Sequence, residues 1–137
     1  MFKIIVFTHG NLCNGLLDSA KMLAGDVSNA QAFSITPGCD LEERERTIKE
    51  LILSYKEKGE EVVAFTDLFF GTPFNILTRI SEHVDFWHIT GVNLPLFIEA
   101  LGKSKAENST IAEVIPELKE LAGTSIICCN DLINNLK

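Results

Sequence analysis

The segment FKIIVFTHG, residues 2–10, sets the class of structure that this 137-residue chain can adopt. Phe2 to Thr8 is an apolar, β-branched run that closes on His9-Gly10, as expected of a strand buried in a parallel sheet. The next segment has apolar residues at helical spacing and stops at Gly25, a residue suited to the left-handed position past a helix end. These apolar positions are Leu12, Leu16, Ala20 and Leu23. The start of the chain therefore predicts a strand, a sharp turn and a helix.

The rest of the chain repeats this alternation. Three further strand-like runs are Ala30–Ile35, Val62–Thr66 and Phe86–Thr90, and apolar residues at helical spacing predict helices that begin near Asp40, Phe74, Leu94 and Thr110. Asp40 and Glu43 resemble a capping box, and Thr72-Pro73 supplies a cap and a first helical residue. Strands that alternate with helices imply an α/β fold, a doubly wound and mainly parallel sheet covered on both faces. We expect the strand order 2-1-3-4.

The end of the chain predicts a last strand and a short tail. Thr124 to Cys128 has the composition of a strand, and the polar segment Asn130 to Lys137 is expected to fray. We therefore expect a single domain at residues 1–130 and a C-terminal tail at residues 131–137.

Composition excludes several classes of function. The formal net charge is −7, and Lys and Arg form no dense run, so nucleic acid is not an expected partner. An acidic surface favours encounters with a basic protein patch, although solubility alone also explains it. No apolar stretch is long enough to span a bilayer and the first residues contain no cleavage site, so we expect a cytoplasmic, unanchored protein. The four cysteines show no C-x-x-C spacing and are expected to be buried, reduced thiols.

Two chemically active side chains are predicted at the same edge of the sheet. Strand one delivers His9 to its carboxyl end and strand three delivers Asp67, and parallel sheets bind ligands at that edge. One nitrogen of a neutral imidazole keeps a lone pair that can accept a phosphoryl group, while the other carries a proton. A carboxylate that accepts this proton in a hydrogen bond fixes which nitrogen is free. We expect Asp67 to act in this way, from a solvent-facing cleft.

The start of the helix after Asp67 supplies groups that suit phosphoryl oxygens. Gly71-Thr72 offers backbone N–H groups, a hydroxyl and a favourable helix dipole, so no metal or cofactor is required. Each residue alone has an ordinary explanation as a cap or a strand end, and only their shared position favours a site. His83 and His88 are interpreted as structural.

Three motifs in order resemble a known family. Thr8-His9-Gly10 with Gly15-Leu16, then DLFFGTPFN from Asp67 to Asn75, then GVNLP from Gly91 to Pro95 are similar to the EIIA domain of the mannose family of bacterial phosphoenolpyruvate-dependent sugar phosphotransferase systems. The resemblance extends from Phe2 to Cys129.

The resemblance implies a phosphocarrier with a defined set of partners. His9 would accept a phosphoryl group from phospho-HPr and pass it to a IIB component on a separate chain, with contact to the membrane only through the transporter complex. Asp67 would support the histidine, and Gly71 and Thr72 would cradle the phosphate. The family also implies a homodimer in which the last strand, here Thr124 to Cys128, is exchanged and lies antiparallel in the partner's sheet.

The sequence departs from the family at one position and leaves three alternatives open. Phe70 replaces the first of two glycines, so the loop either avoids positive φ or holds Phe70 under strain. One alternative is a phosphocarrier that serves a dihydroxyacetone kinase. Another is a receiver-like domain phosphorylated on Asp67, although the acidic pair that such domains need after strand one is missing. The third is a sensor that only binds a small anion, and none of these readings identifies a sugar.

Overall fold

The computed structural model describes residues 1–136, whose backbone forms four strands and six helices. The strands are β1 (Phe2–His9), β2 (Ala30–Ile35), β3 (Glu61–Thr66) and β4 (Trp87–Thr90). The helices are α1 (Leu12–Ala24), α2 (Leu41–Glu57), α3 (Thr72–Ser81), α4 (Leu94–Ser104), α5 (Ile111–Thr124) and α6 (Cys129–Asn135).

The four strands form one parallel sheet in the order β2-β1-β3-β4. In the two pairings that β1 makes, Ile4 lies beside Ala30 of β2 and beside Val63 of β3. The predicted order 2-1-3-4 is confirmed. Since β1 and β3 are central, their carboxyl ends are neighbours, and β4 has one edge to which no strand of the described chain pairs.

Helices cover both faces of the sheet because alternate residues of β1 belong to different apolar layers. Ile4 and Val6 pack with residues of α1, α4 and α5, whereas Ile5 and Phe7 pack with residues of α2 and α3. All four of these side chains are fully buried. A strand buried on both faces reads as a continuous apolar run, which explains why residues 2–8 could be assigned from sequence.

Two helix starts test the predicted caps. Asp40 accepts a hydrogen bond from the Glu43 N–H at 3.1 Å, so the predicted cap of α2 is confirmed. In α3 the cap is Gly71 and Thr72 is already helical, so the predicted cap at Thr72 is wrong by one residue. Pro73 permits this start, because the first N–H groups of a helix have no partner within it.

The C-terminal segment differs from the prediction. Thr124 ends α5, no strand forms at Thr124–Cys128, and Cys129–Asn135 is helix α6 instead of a frayed tail. A strand needs a neighbour for its backbone hydrogen bonds, and nothing in residues 1–136 pairs with this segment. Its Ile126 is 86% exposed. The predicted tail thus begins inside α6, and its last residue, Lys137, lies outside the described residues.

The thiol prediction is correct in part. Cys13 is buried and Cys39 is half-buried, but Cys128 and Cys129 are exposed. These two residues belong to the C-terminal segment and to neither of the two apolar layers. Within residues 1–136, none of the helices is both long enough and apolar enough to cross a bilayer.

Candidate functional site

His9 ends β1 at the carboxyl edge of the sheet, where it lies beside Ile35 of β2. The next residue, Gly10, has φ 56 and donates its N–H to the Ile35 carbonyl at 2.8 Å. Glycine tolerates this left-handed conformation, so the chain turns sharply from the strand into α1. The turn leaves the His9 side chain 46% exposed.

Thr8 connects the strand to the helix that follows. Its side chain is fully buried, and its hydroxyl accepts the N–H of Cys13 in the first turn of α1 at 2.9 Å. Asn11, the residue at the cap position of α1, makes no side-chain cap bond. Thr8 therefore performs the capping role from the strand. Sequence reasoning missed this role, because caps are sought immediately before a helix and not four residues earlier.

Asp67 follows β3 directly and holds the His9 imidazole. Its Oδ2 accepts from the His9 backbone N–H at 2.9 Å and lies 3.0 Å from His9 Nδ1. An ionised carboxylate can only accept, so Nδ1 carries the proton and Nε2 keeps its lone pair. The predicted pairing of His9 with Asp67 is thus present in the structure.

Asp67 is less accessible than expected. Its side chain is 14% exposed, and the second oxygen, Oδ1, is buried with no hydrogen-bond partner in the described chain. The cleft was expected to face solvent, and the His9 ring does, but Asp67 is mostly covered because the backbone and ring of His9 both lie against the carboxylate. An unpaired buried acceptor costs roughly 1–3 kcal/mol. The unpaired Oδ1 therefore costs stability, while Oδ2 makes the contacts with His9.

Gly71 lies against the imidazole ring. A Cβ added at Gly71 would lie 2.8 Å from His9 Cε1 and 3.1 Å from the Leu68 carbonyl oxygen, closer than real Cβ atoms approach a ring. The φ of Gly71 is −73, which any residue can adopt. Glycine is required here for space, and this role could not be seen in the sequence.

The start of α3 faces the same region with groups that can donate hydrogen bonds. The Gly71 N–H already donates to the Leu68 carbonyl at 3.0 Å, so it is not available to a phosphate as predicted. Helix geometry leaves the N–H groups of Thr72 and Phe74 without helical acceptors, and Pro73 between them has none. Thr72 is half-buried, and its hydroxyl makes no hydrogen bond within residues 1–136. These donors and the helix dipole suit an anion.

The sequence left open whether the backbone of Phe70 has a positive φ, and the structure shows that it does. Its φ is 61, and it is the one residue other than glycine with positive φ in the described chain. A left-handed side-chain-bearing residue costs roughly 1–2 kcal/mol. The Phe70 ring lies 4.0 Å from the Phe69 ring and 5.5 Å from the Phe74 ring between centroids, contacts that offset part of this strain. Of the two possibilities, strain at Phe70 is the one observed.

His88 connects the ends of β3 and β4 to α3. Its Nε2 lies 2.9 Å from the Thr66 hydroxyl, and its ring centroid lies 5.2 Å from that of Phe74. Burial lowers the pKa of His88 to about 4 from an ordinary value of 6.5, so the ring is neutral near pH 7. These contacts support the structural interpretation of His88. His83 is exposed just after α3.

A cavity of about 460 Å³ opens beside β4 and does not include any of the four predicted site residues. Ile89 and Thr90 of β4, Leu118 of α5 and Ile126 contribute to its walls. The cavity therefore lies at the β4 edge of the sheet and not at the histidine.

Comparison with known proteins identifies relatives of this chain. Residues 3–119 match the family described as "EIIA-man: PTS system fructose IIA component". The chain is 34% identical over 102 residues to the PTS system mannose-specific EIIAB component of Escherichia coli K12, a match that covers 72% of this chain and 30% of that protein. It is 31% identical over 100 residues to the PTS system sorbose-specific EIIA component of Klebsiella pneumoniae, with 72% of each covered. The chain thus spans about 30% of the length of the Escherichia coli relative.

Solved structures give the same result for the fold. The phosphotransferase system component EIIA from Streptococcus agalactiae superposes with a TM-score of 0.83 at 24% identity, over 96% of this chain and 99% of that one. The PTS IIA protein associated with the fucose utilization operon from Streptococcus pneumoniae gives 0.82 at 25% identity, over 96% and 95%.

Proposed function

The chain belongs to the EIIA-man family of phosphotransferase system components, and on that premise we propose that it is a phosphocarrier of a sugar phosphotransferase system. In this proposal His9 accepts a phosphoryl group from phospho-HPr and passes it to a IIB component on a separate chain. Sugar uptake and phosphorylation then follow at the transporter.

One observation carries the proposal: Asp67 Oδ2 lies 3.0 Å from His9 Nδ1 at the carboxyl edge of the sheet. The contact leaves Nε2 as the nitrogen with a free lone pair, on a ring that remains accessible. A carboxylate that orients a histidine in this way also stabilises the positive charge that develops on the ring.

The transfer step follows from this geometry. The Nε2 lone pair forms a bond to phosphorus, and the bond between phosphorus and the donor's histidine breaks with its electron pair returning to that histidine. The proton stays on Nδ1, where Asp67 holds it. Passage of the phosphoryl group to the acceptor reverses the same events, since the nucleophile becomes the leaving group.

The start of α3 would receive the phosphoryl oxygens. The Thr72 hydroxyl and the N–H groups of Thr72 and Phe74 are available there, and the helix dipole favours negative charge. Gly71 would contribute by letting the ring lie close to these donors. The chemistry requires no metal or cofactor.

The proposal extends to location and assembly. We place the protein in the cytoplasm as a homodimer, in contact with the membrane only through the transporter complex. Two features support a dimer. The open edge of β4 leaves backbone hydrogen-bonding groups without a strand partner in the described chain, and the segment around Ile126 exposes apolar atoms.

The test is phosphorylation with phosphoenolpyruvate, enzyme I and HPr. We expect one phosphoryl group per chain, labile in acid and stable in base, and none on His9→Ala. His83→Ala is the matched control and should label fully. A base-labile acyl phosphate would point to Asp67 and a receiver-like domain, and undiminished labelling of His9→Ala would also exclude the proposal.

The phosphorylated protein also distinguishes the possible acceptors. We expect it to transfer to a IIB component. Transfer only to a dihydroxyacetone kinase subunit would assign it to the related phosphocarriers, and a protein that binds phosphate but never becomes phosphorylated would be a sensor.

A further inference from the structure

Thr66 is the last residue of β3 and directly precedes Asp67, and three hydrogen bonds tie it to β4 and the turn that follows β4. Its carbonyl oxygen accepts the N–H groups of Gly91 at 2.9 Å and Val92 at 3.0 Å. Its hydroxyl oxygen lies 2.9 Å from Nε2 of His88. The Thr66 side chain is fully buried, so this hydrogen bond is shielded from water. The strand end that carries Asp67 is therefore held from the side of β4.

A second contact, with α3, holds the ring of His88. Its centroid lies 5.2 Å from the centroid of the Phe74 ring, at an interplanar angle of 41°. Phe74 belongs to the first turn of α3, and the Phe69 ring lies 5.0 Å from it. Because burial lowers the pKa of His88 to about 4, the ring is neutral near pH 7. His88 thus offers Thr66 a hydrogen-bonding nitrogen whose place is set by packing.

The same series of contacts continues from Thr66 to the histidine of the candidate site. Asp67 Oδ2 accepts the His9 backbone N–H at 2.9 Å and lies 3.0 Å from His9 Nδ1. The other oxygen, Oδ1, has no hydrogen-bond partner in the described chain, so it does not help to fix the carboxylate. The position of Oδ2 therefore depends on where the end of β3 places the Asp67 backbone. That end is held in part by His88.

We propose that His88 is a positioning residue for the pair formed by Asp67 and His9, and that it acts through its hydrogen bond to the Thr66 hydroxyl. The inference rests on the proposed function, because its consequence is a rate of phosphoryl transfer. Loss of the bond leaves a buried polar group without a partner, and the end of β3 relaxes to relieve it. A displaced carboxylate holds Nδ1 less firmly. More of His9 then carries its proton on Nε2, where the nitrogen cannot accept phosphorus.

The test uses two variants of the full-length protein that remove the hydrogen bond and keep the shape of the side chain. His88→Phe keeps a ring against Phe74, and Thr66→Val keeps a branched side chain. For each variant we expect kcat with phospho-HPr to fall roughly five- to twentyfold, since displacement of a reacting group by about 1 Å can cost on the order of a hundredfold. KM for phospho-HPr should not change. Phosphoramidate, a small phosphoryl donor, should show the same loss, because the defect lies at His9.

Nitrogen NMR of His9 separates positioning from a contribution to stability alone. In the wild type the proton should lie on Nδ1, and in both variants a larger fraction of His9 should carry it on Nε2. A protein that is only less stable, but folded at the assay temperature, would show neither this change nor a lower kcat. His88→Gln is the conservative variant. Its amide can hydrogen-bond to the Thr66 hydroxyl, so it should transfer at close to the parental rate.

Thr90→Val is the matched control. Thr90 lies beside Thr66 in the register of β3 and β4, and its hydroxyl is buried without a hydrogen-bond partner in the described chain. The same substitution there breaks no hydrogen bond, so this variant should transfer at the parental rate. The double variant Thr66→Val/His88→Phe should be no slower than the slower single variant, because both changes remove the same bond.

Four results would overturn the inference. They are a parental kcat with an unchanged His9 spectrum in both folded single variants, a loss confined to KM for phospho-HPr, losses that multiply in the double variant, and His88→Gln as slow as His88→Phe. A wild-type protein that phospho-HPr does not phosphorylate would instead overturn the proposed function. The NMR comparison needs no phosphoryl donor, so it would still show whether His88 positions Asp67 and His9.

Discussion

The His9 imidazole has two close neighbours: Asp67 Oδ2 lies 3.0 Å from Nδ1, and a Cβ added at Gly71 would lie 2.8 Å from Cε1. The first contact sets the protonation of the ring and the second sets its position. Because the two effects differ, a substitution of Asp67 and a substitution of Gly71 should impair phosphoryl transfer in different ways.

Replacement of Asp67 should slow transfer without unfolding the protein. In Asp67→Asn the side chain keeps its size, but it loses the charge that stabilises the protonated nitrogen. A triad aspartate is worth about 10⁴ in rate, and because the His9 side chain here is 46% exposed we expect roughly tenfold to a thousandfold. Magnesium or a chelator should make no difference. Rates of transfer from phospho-HPr measure the effect, and NMR identifies the nitrogen of His9 that carries the proton.

Asp85→Asn is the matched control, because Asp85 is exposed before β4, at the opposite edge of the sheet. It should transfer at the parental rate. If Asp67→Asn also did so with the same protonated nitrogen, Asp67 would be only a strand-end residue.

Replacement of Gly71 should displace the ring instead. In Gly71→Ala the new Cβ would lie 2.8 Å from His9 Cε1, so the ring or the loop must move. Misplacement of a reacting group by about 1 Å can cost on the order of a hundredfold, and we expect a loss of transfer of tenfold to a hundredfold on this basis. The loss should appear with phosphoramidate as well as with phospho-HPr.

Gly102→Ala controls for the change of residue type, since Gly102 lies in α4 and a Cβ there would meet nothing within 4 Å. Alanine should be neutral or stabilising at that position. Full activity of Gly71→Ala would show that the close approach to His9 is not required.

Sequence reasoning brought the candidate site residues to one edge of the sheet but did not give all of their contacts. His9 and Asp67 could be placed together because parallel strands end at one edge of a sheet. The spatial role of Gly71 and the strain at Phe70 could not, since both depend on distances and dihedral angles that a linear pattern does not contain.

The pair of strands β3 and β4 contains a titratable contact, between His88 Nε2 and the Thr66 hydroxyl. Burial lowers the pKa of His88 to about 4, below its ordinary value of 6.5. Between these values the unfolded chain binds a proton that the folded chain does not, so the free energy of unfolding falls as the pH falls from about 6.5 towards 4.

The test is denaturation of wild type and His88→Gln at roughly pH 7 and pH 5. We expect the wild type to lose more stability than the variant over this interval, because His88→Gln lacks the titrating ring. His83→Gln should behave like the wild type, since His83 is exposed. Equal losses in the wild type and His88→Gln would show that His88 does not contribute to the pH dependence.

The C-terminal segment was the least predictable element. Ser125 to Cys128 has a strand-like composition, but composition expresses only a preference, and a strand also needs a partner with free backbone groups. Within residues 1–136 no strand pairs with it. Helix α6 has no buried residues. Packing inside one chain therefore specifies neither a strand at residues 125–128 nor the helix that follows it.

Two neighbouring surfaces of the molecule have no partner within the described chain. β4 has an open edge beside a cavity of about 460 Å³, and the segment around Ile126 is exposed next to it. Pairing between two copies would satisfy both features, consistent with the homodimer proposed above.

Removal of the segment should therefore change the mass in solution. A chain that ends at Gly123 should sediment as a monomer at micromolar concentration and should bind a dye specific for apolar surfaces. A chain that ends at Asn130 retains Ser125–Cys128 and should remain a dimer. A monomeric full-length protein, or a well-folded dimer of the shorter chain, would contradict the prediction.

If His9 is phosphorylated as proposed, the hydrogen bond from its Nδ1 to Asp67 would also determine the regiochemistry of the product. A phosphohistidine exists as two isomers, pros and tele, according to the ring nitrogen that bears phosphorus. Since the pros nitrogen is occupied by the carboxylate, we expect only the tele isomer. Phosphorus and nitrogen NMR of the freshly labelled protein distinguish the two, and a pros adduct would require the imidazole to have left Asp67 before the reaction.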